Sequence, residues 1–169
     1  MPWSMLEWTA RRILKELADG DRRRTALADF WRHADAASRQ GAQAFLAKAL
    51  SFREVTLRKL SPERRADLLA SRLASTEAEP YAEEALVVYH MHRASALMGA
   101  FLDRWGIPHQ DGAIAGEAEA PNVEQVREAV AALAGGFERD ELRLYLATAG
   151  LVMGDAWRAA TWPVVDELA

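Results

Sequence analysis

Apolar residues recur at three- and four-residue spacing along almost the whole chain, and no window alternates with the period of two that marks a half-buried strand. The pattern therefore predicts helices only. The first runs over residues 4–18, opened by a capping box in which Glu7 stands three residues after Ser4. Trp3, Leu6, Ala10, Ile13 and Leu17 fall on one stripe of it. Met5 and Trp8 lie off that stripe, beside Arg12 and Lys15, which makes them candidates for an exposed or interface position. A second helix over 21–39 buries Leu27, Phe30, Trp31, Ala34 and Ser38, with Gly41 as its stop unless the helix runs through it. A third covers 42–60. Ser61 then caps a fourth, with Pro62 at its first position, reaching Leu73.

The longest periodic run, residues 80–105, predicts a long central helix. Asn122, with Gln125 three residues on, opens a sixth helix to about residue 134. A seventh over 139–153 is apolar nearly all round, through Leu142, Leu144, Tyr145, Leu146, Leu151 and Val152, and so belongs in the interior. A last helix over 155–168 should be bent or broken at Pro163. The expected fold is all-α: a single-domain irregular bundle of six to eight helices.

Composition narrows the picture. The chain has 169 residues, half of them apolar and 27% charged, enough to bury a core without staples. There is no cysteine, which removes disulfides, thiolate metal sites and thiol nucleophiles. The N-terminal residues carry charges every few positions and read as neither a signal peptide nor a membrane span, so a cytoplasmic location is the expectation. The net charge of −4 conceals a polarity. Residues 1–75 hold fifteen Lys and Arg against nine Asp and Glu, for +6, and residues 76–169 hold six against sixteen, for −10. The acidic balance of the whole argues against a nucleic-acid binder.

Few residues offer chemistry. His90 and His92 look like a metal pair, but residues two apart on a helix point away from each other, and no Glu-x-x-His or His-x-x-x-His spacing occurs there. His90 falls on the apolar stripe of Leu86, Val87, Ala94, Leu97 and Phe101, while His92 falls opposite. A buried imidazole needs a hydrogen-bond partner, and Glu83, two turns earlier on the same face, is one candidate. Arg53 stands among Leu46, Ala49, Leu50, Leu57 and Leu60, so its guanidinium either reaches water past them or holds an internal acid or ligand anion. The loop 106–121 begins with Gly106 and Ile107, suited to a left-handed helix end, and continues through a Gln110-Asp111-Gly112 turn. His109 alone has no local structural role, and with Asp111 it could face one cleft. No phosphate loop, nucleophile elbow or nucleotide fingerprint occurs, and neither a metal nor a cofactor is called for.

The leading expectation is a non-catalytic helical interaction module, self-association included, with a protein or a second copy as partner. The competing one is an enzyme or small-ligand binder with an interhelical pocket around His90, using Glu83 or Arg53 with His109 and Asp111. Attachment to nucleic acid or to a membrane surface through Arg11, Arg12, Lys15 and Arg22 to Arg24 comes last, because a run of charge is ordinarily a solvated face.

Overall fold

A computed structural model describes residues 7–169 and shows an all-α protein. Among the described residues there are ten helices, one 3-10 turn and a hairpin of two-residue strands. None of these helices is long and apolar enough to cross a membrane. The backbone resolves into two compact units. One is Thr9–Tyr89. The other is His90–Ala169, joined by Trp8.

The first unit holds α1 (Ala10–Glu16), α2 (Gly20–His33), α3 (Ala36–Leu50), α4 (Glu54–Arg58), α5 (Pro62–Ala70), a 3-10 turn (Thr76–Ala78) and most of α6 (Glu79–Arg93). Ser4 of the expected capping box lies outside the described residues, and with residues 7–9 not helical α1 begins at Ala10, later than the expected helix over 4–18. Thr9 is its N-cap, accepting from Arg12 N–H at 3.1 Å, and Glu79 reaches the free Ala10 N–H at 2.5 Å. A carboxylate at a helix start also meets the positive end of the helix dipole, and the same Glu79 accepts from Arg11 Nε at 2.8 Å. Helices α2 and α5 pack most closely. Ile13, Leu14, Leu27, Phe30, Leu46, Leu57 and Leu69 are fully enclosed. Phe30 meets Trp31 edge-on at 5.3 Å and Tyr81 at 6.1 Å, and Phe45 stacks on Tyr81. Gly41 lies inside α3 rather than ending a helix, because Tyr81 crosses there and its hydroxyl would stand 2.9 Å from any Cβ.

The expected second and third helices both break elsewhere. Asp35, not Gly41, divides the former: its carboxylate accepts Ser38 N–H at 2.8 Å and caps α3. That hydrogen bond from the Ser38 backbone, with the Ser38 side chain behind it, holds the Asp35 carboxyl below its ordinary value of 3.8. A depressed folded value means the cap contributes at neutral pH and is lost as pH falls through that range. Asp35→Ala should therefore lower the melting temperature at pH 7, with the gap from wild type closing below about pH 3.8. A gap that persists unchanged at pH 2 would show that the carboxylate charge is not the cause. The expected third helix stops at Leu50, where Ser51 turns left-handed at φ 55°.

The second unit holds α7 (Ser95–Arg104), strands β1 (His109–Gln110) and β2 (Ala113–Ile114), α8 (Val123–Leu133), α9 (Arg139–Val152) and α10 (Asp155–Glu167). The long central helix is thus two. Ala94, at φ −129° and ψ 23°, leaves helical geometry for one residue, although Ala94 N–H still bonds His90 O and Met98 N–H still bonds Ala94 O. Helix α7 ends as its sequence predicts: Gly106 is left-handed, its N–H bonds Asp103 O, Ile107 N–H bonds Leu102 O, and Ile107 is buried. Asn122 and Gln125 form the expected reciprocal capping box.

The strands were not expected. His109 pairs with Ile114 and Gln110 with Ala113, and the loop between them is Asp111-Gly112 with both φ positive, the turn that matches strand twist. Helices α9 and α10 form the tightest pair of this unit. From Leu144 to Gly150 α9 is buried on every side, while Val152 emerges. Thr148 and Thr161 satisfy their hydroxyls on the carbonyls one turn back, and Trp162 Nε1 donates to Ala147 O at 3.1 Å. Helix α10 continues through Pro163 without a break.

Candidate functional site

The residues singled out for chemistry are not drawn into one centre. His90 is buried at 2% exposure, as its place on the stripe requires, and its ring lies 5.8 Å from that of Tyr145. Burial alone pushes the Tyr145 hydroxyl well above its usual value. His92 is exposed. Glu83 is exposed too and does not accompany His90 indoors. Val87, assigned to the same stripe, is exposed as well.

His109 and Asp111 share the hairpin but not a cleft. Gly112 N–H donates to His109 Nδ1 at 3.1 Å, which leaves Nε2 to bear the proton of a neutral ring and to meet Asp103 Oδ1 at 2.7 Å. The imidazole fastens the loop to α7, where Gly99 leaves room for it: a Cβ there would stand 3.0 Å from the ring. Asp111 is exposed and spends its conformation on the turn. Arg53 is exposed as well, because α3 has ended before it and it sits at the N-cap of α4. Trp8 is only 5% exposed, against the expectation of a surface aromatic. Residues 7–9 are not helical, so the helical projection that set Trp8 off the stripe does not apply to it. Met5 lies outside the described residues. Among the described residues no group of three or more His, Asp and Glu could hold a metal ion.

The structure instead opens a groove in the first unit, of about 520 Å³, lined by Arg24, Phe52, Thr56, Leu60, Arg64, Asp67 and Leu68. Its shape follows from the left-handed turn. Ser51 and Phe52 N–H both bond Ala47 O, closing α3, and the chain emerges with Phe52 45% exposed. Val55, on the single-turn helix α4, is 45% exposed as well, while Leu57 anchors α4 in the core. Ser61 and Pro62 then start α5, whose Arg64, Asp67 and Leu68 supply the opposite wall.

Charge around the groove is uneven. Arg24 is held by Asp67 through two contacts, at 3.0 and 3.1 Å. Arg32 engages Glu63. Arg53, Arg58, Lys59 and Arg64 are exposed and, among the described residues, have no carboxylate within ion-pair distance. Arg65 turns the other way. It covers the Trp31 ring at 4.9 Å, and burial, with Arg39 nearby, holds its guanidinium below its ordinary value. The site therefore combines an apolar floor of Phe52, Leu60 and Leu68 with one lining cation, Arg64, that no carboxylate pairs with, an arrangement able to hold apolar side chains beside a carboxylate. Sequence reasoning missed it by carrying one helix through residue 60.

No known family model, curated protein or solved structure matches this chain.

Proposed function

We propose that this chain is a non-catalytic helical interaction module and that the α4–α5 groove is its docking site for an acidic, amphipathic protein segment. The observation that carries this reading is the pair Phe52 and Val55, each 45% exposed, on the segment that forms the groove with Arg64, a lining cation without an ion-pair partner among the described residues. An exposed aromatic beside a concave apolar floor serves as an anchor when a partner covers it, and rim charges set orientation and rate of encounter. A volume of about 520 Å³ is that of a site for a few side chains, which fits a weak and reversible contact.

The test is fluorescence anisotropy with a labelled helical peptide bearing Glu and Leu at successive i, i+4 positions. Wild type should bind with a Kd of roughly 1–100 µM, less tightly as salt rises. Phe52→Asp should remove binding, and Arg64→Glu should weaken it about tenfold. Absence of binding by wild type, or binding indifferent to Phe52→Asp, would overturn the assignment.

A further inference from the structure

Where α2 meets α5, Arg24 holds Asp67, and Arg32 holds Glu63 and meets the buried Asp29. Arg65 of α5, which does not line the groove, has no carboxylate within ion-pair distance among the described residues. Its Nε is shut off from solvent and makes no hydrogen bond among them. An arginine cannot shed its charge, so an enclosed guanidinium calls for an acid to face it. Trp31 meets only part of that need. Arg65 Cζ lies 4.9 Å over the ring centroid, and the ring attracts positive charge without the lone pair that an N–H donor requires. Trp31 is itself 2% exposed, and its Nε1–H is a second enclosed donor without an acceptor among the described residues.

A neighbouring cation adds to the imbalance. Arg39, exposed on α3, lies close enough to Arg65 for the two charges to repel; burial, and then that repulsion, hold the Arg65 guanidinium below its ordinary value. Asp35, one turn before Arg39, is engaged with Ser38 N–H at 2.8 Å and does not come within ion-pair distance of Arg39. Folding thus sets two guanidiniums from different helices near each other with no acid between them. We propose that Arg39 and Arg65, beside Trp31, form a binding site for a tetrahedral dianion, a phosphate or a phosphate monoester. Two forks from α3 and α5 match an ion with two charges and oxygens pointing in several directions. A planar carboxylate fills a single fork, as Asp67 does with Arg24 through two contacts. The site is distinct from the α4–α5 groove and does not depend on the docking reading.

Calorimetric titration with inorganic phosphate tests this, at an ionic strength held constant with chloride so that general screening does not change. Wild type should bind phosphate with a Kd of about 1 mM. Arg39→Gln alters an exposed side chain, should keep the wild-type circular dichroism, and should weaken binding at least about tenfold. Arg65→Lys, which keeps the charge and loses the fork, should weaken it as well. Lys48→Gln removes an exposed cation from the opposite side of α3, and Phe52→Asp disables the groove; both should bind phosphate as wild type does. Acetate should bind at least about tenfold more weakly than phosphate. A phosphoserine peptide titrated beside free phosphate names the source: the tighter of the two is the ligand class, and either order supports the site. No phosphate binding up to about 20 mM, binding indifferent to Arg39→Gln, or acetate held as tightly as phosphate would overturn the proposal.

Discussion

Gly150→Val should abolish the cooperative unfolding transition of the unit containing α9 and α10. A Cβ at position 150 would stand 2.6 Å from Thr161 Oγ1 and 2.5 Å from Trp162 Cδ1, closer than side-chain carbons approach such atoms. Neither neighbour can withdraw. Trp162 is 2% exposed with its indole N–H committed to Ala147 O, and Thr161 is fully enclosed with its hydroxyl on Trp157 O. Separating the helices would in turn loosen Arg158, whose guanidinium lies 4.7 Å from the Trp162 ring and bonds Gly150 O at 3.3 Å. Overpacking of a dense core costs about 1–3 kcal/mol and occasionally more, and an added isopropyl group at a helix crossing belongs at the upper end. Gly150→Ala separates the causes. In an open helix alanine would stabilise by about 1 kcal/mol, so a fall in its melting temperature assigns the defect to the crossing. An unchanged or raised value would show that the helices are not so close.

Phe30→Ala should cost the Thr9–Tyr89 unit about 3–5 kcal/mol. The ring has no exposed surface, meets Trp31 edge-on and lies 6.1 Å from Tyr81, which in turn carries Phe45. Removing it leaves a void among rings that themselves hold α2 against α3 and α6. Urea unfolding should show a lower midpoint at nearly constant slope. A loss below about 1 kcal/mol would mean that the neighbours close over the gap and that the aromatic cluster is not the centre of this unit.

What could be read from the sequence is whatever is decided within a few residues. The helix end at Gly106 and Ile107, the Ser61-Pro62 start and the Asn122–Gln125 box all depend on side chains bonding their own turn, and all three stand where the sequence puts them. The interruptions at Ser51 and Ala94 do not have that character. Neither residue is a glycine or proline, and helical periodicity continues across both, so nothing local marks them. Asp35 was legible in principle as a cap but was outvoted by the apolar pattern on either side. Those breaks decided the site. With a helix carried from 42 to 60, Arg53 belonged to an apolar face. With α3 ended at Leu50, Arg53 and Phe52 are both exposed. The inward turn of His90 was predicted correctly, yet Glu83 shows that a helical projection fixes angles and not what lies beyond them.

The His109 fastening has a practical corollary for anyone engineering this chain. It ties down the early part of the connection between α7 and α8, and Ala115 N–H is still held by Pro108 O. Beyond that bond, Gly116, Glu117 and Glu119 are open to solvent, up to the buried Pro121. An epitope or fluorescent tag spliced between Gly116 and Glu119 would enter where the backbone has least to surrender.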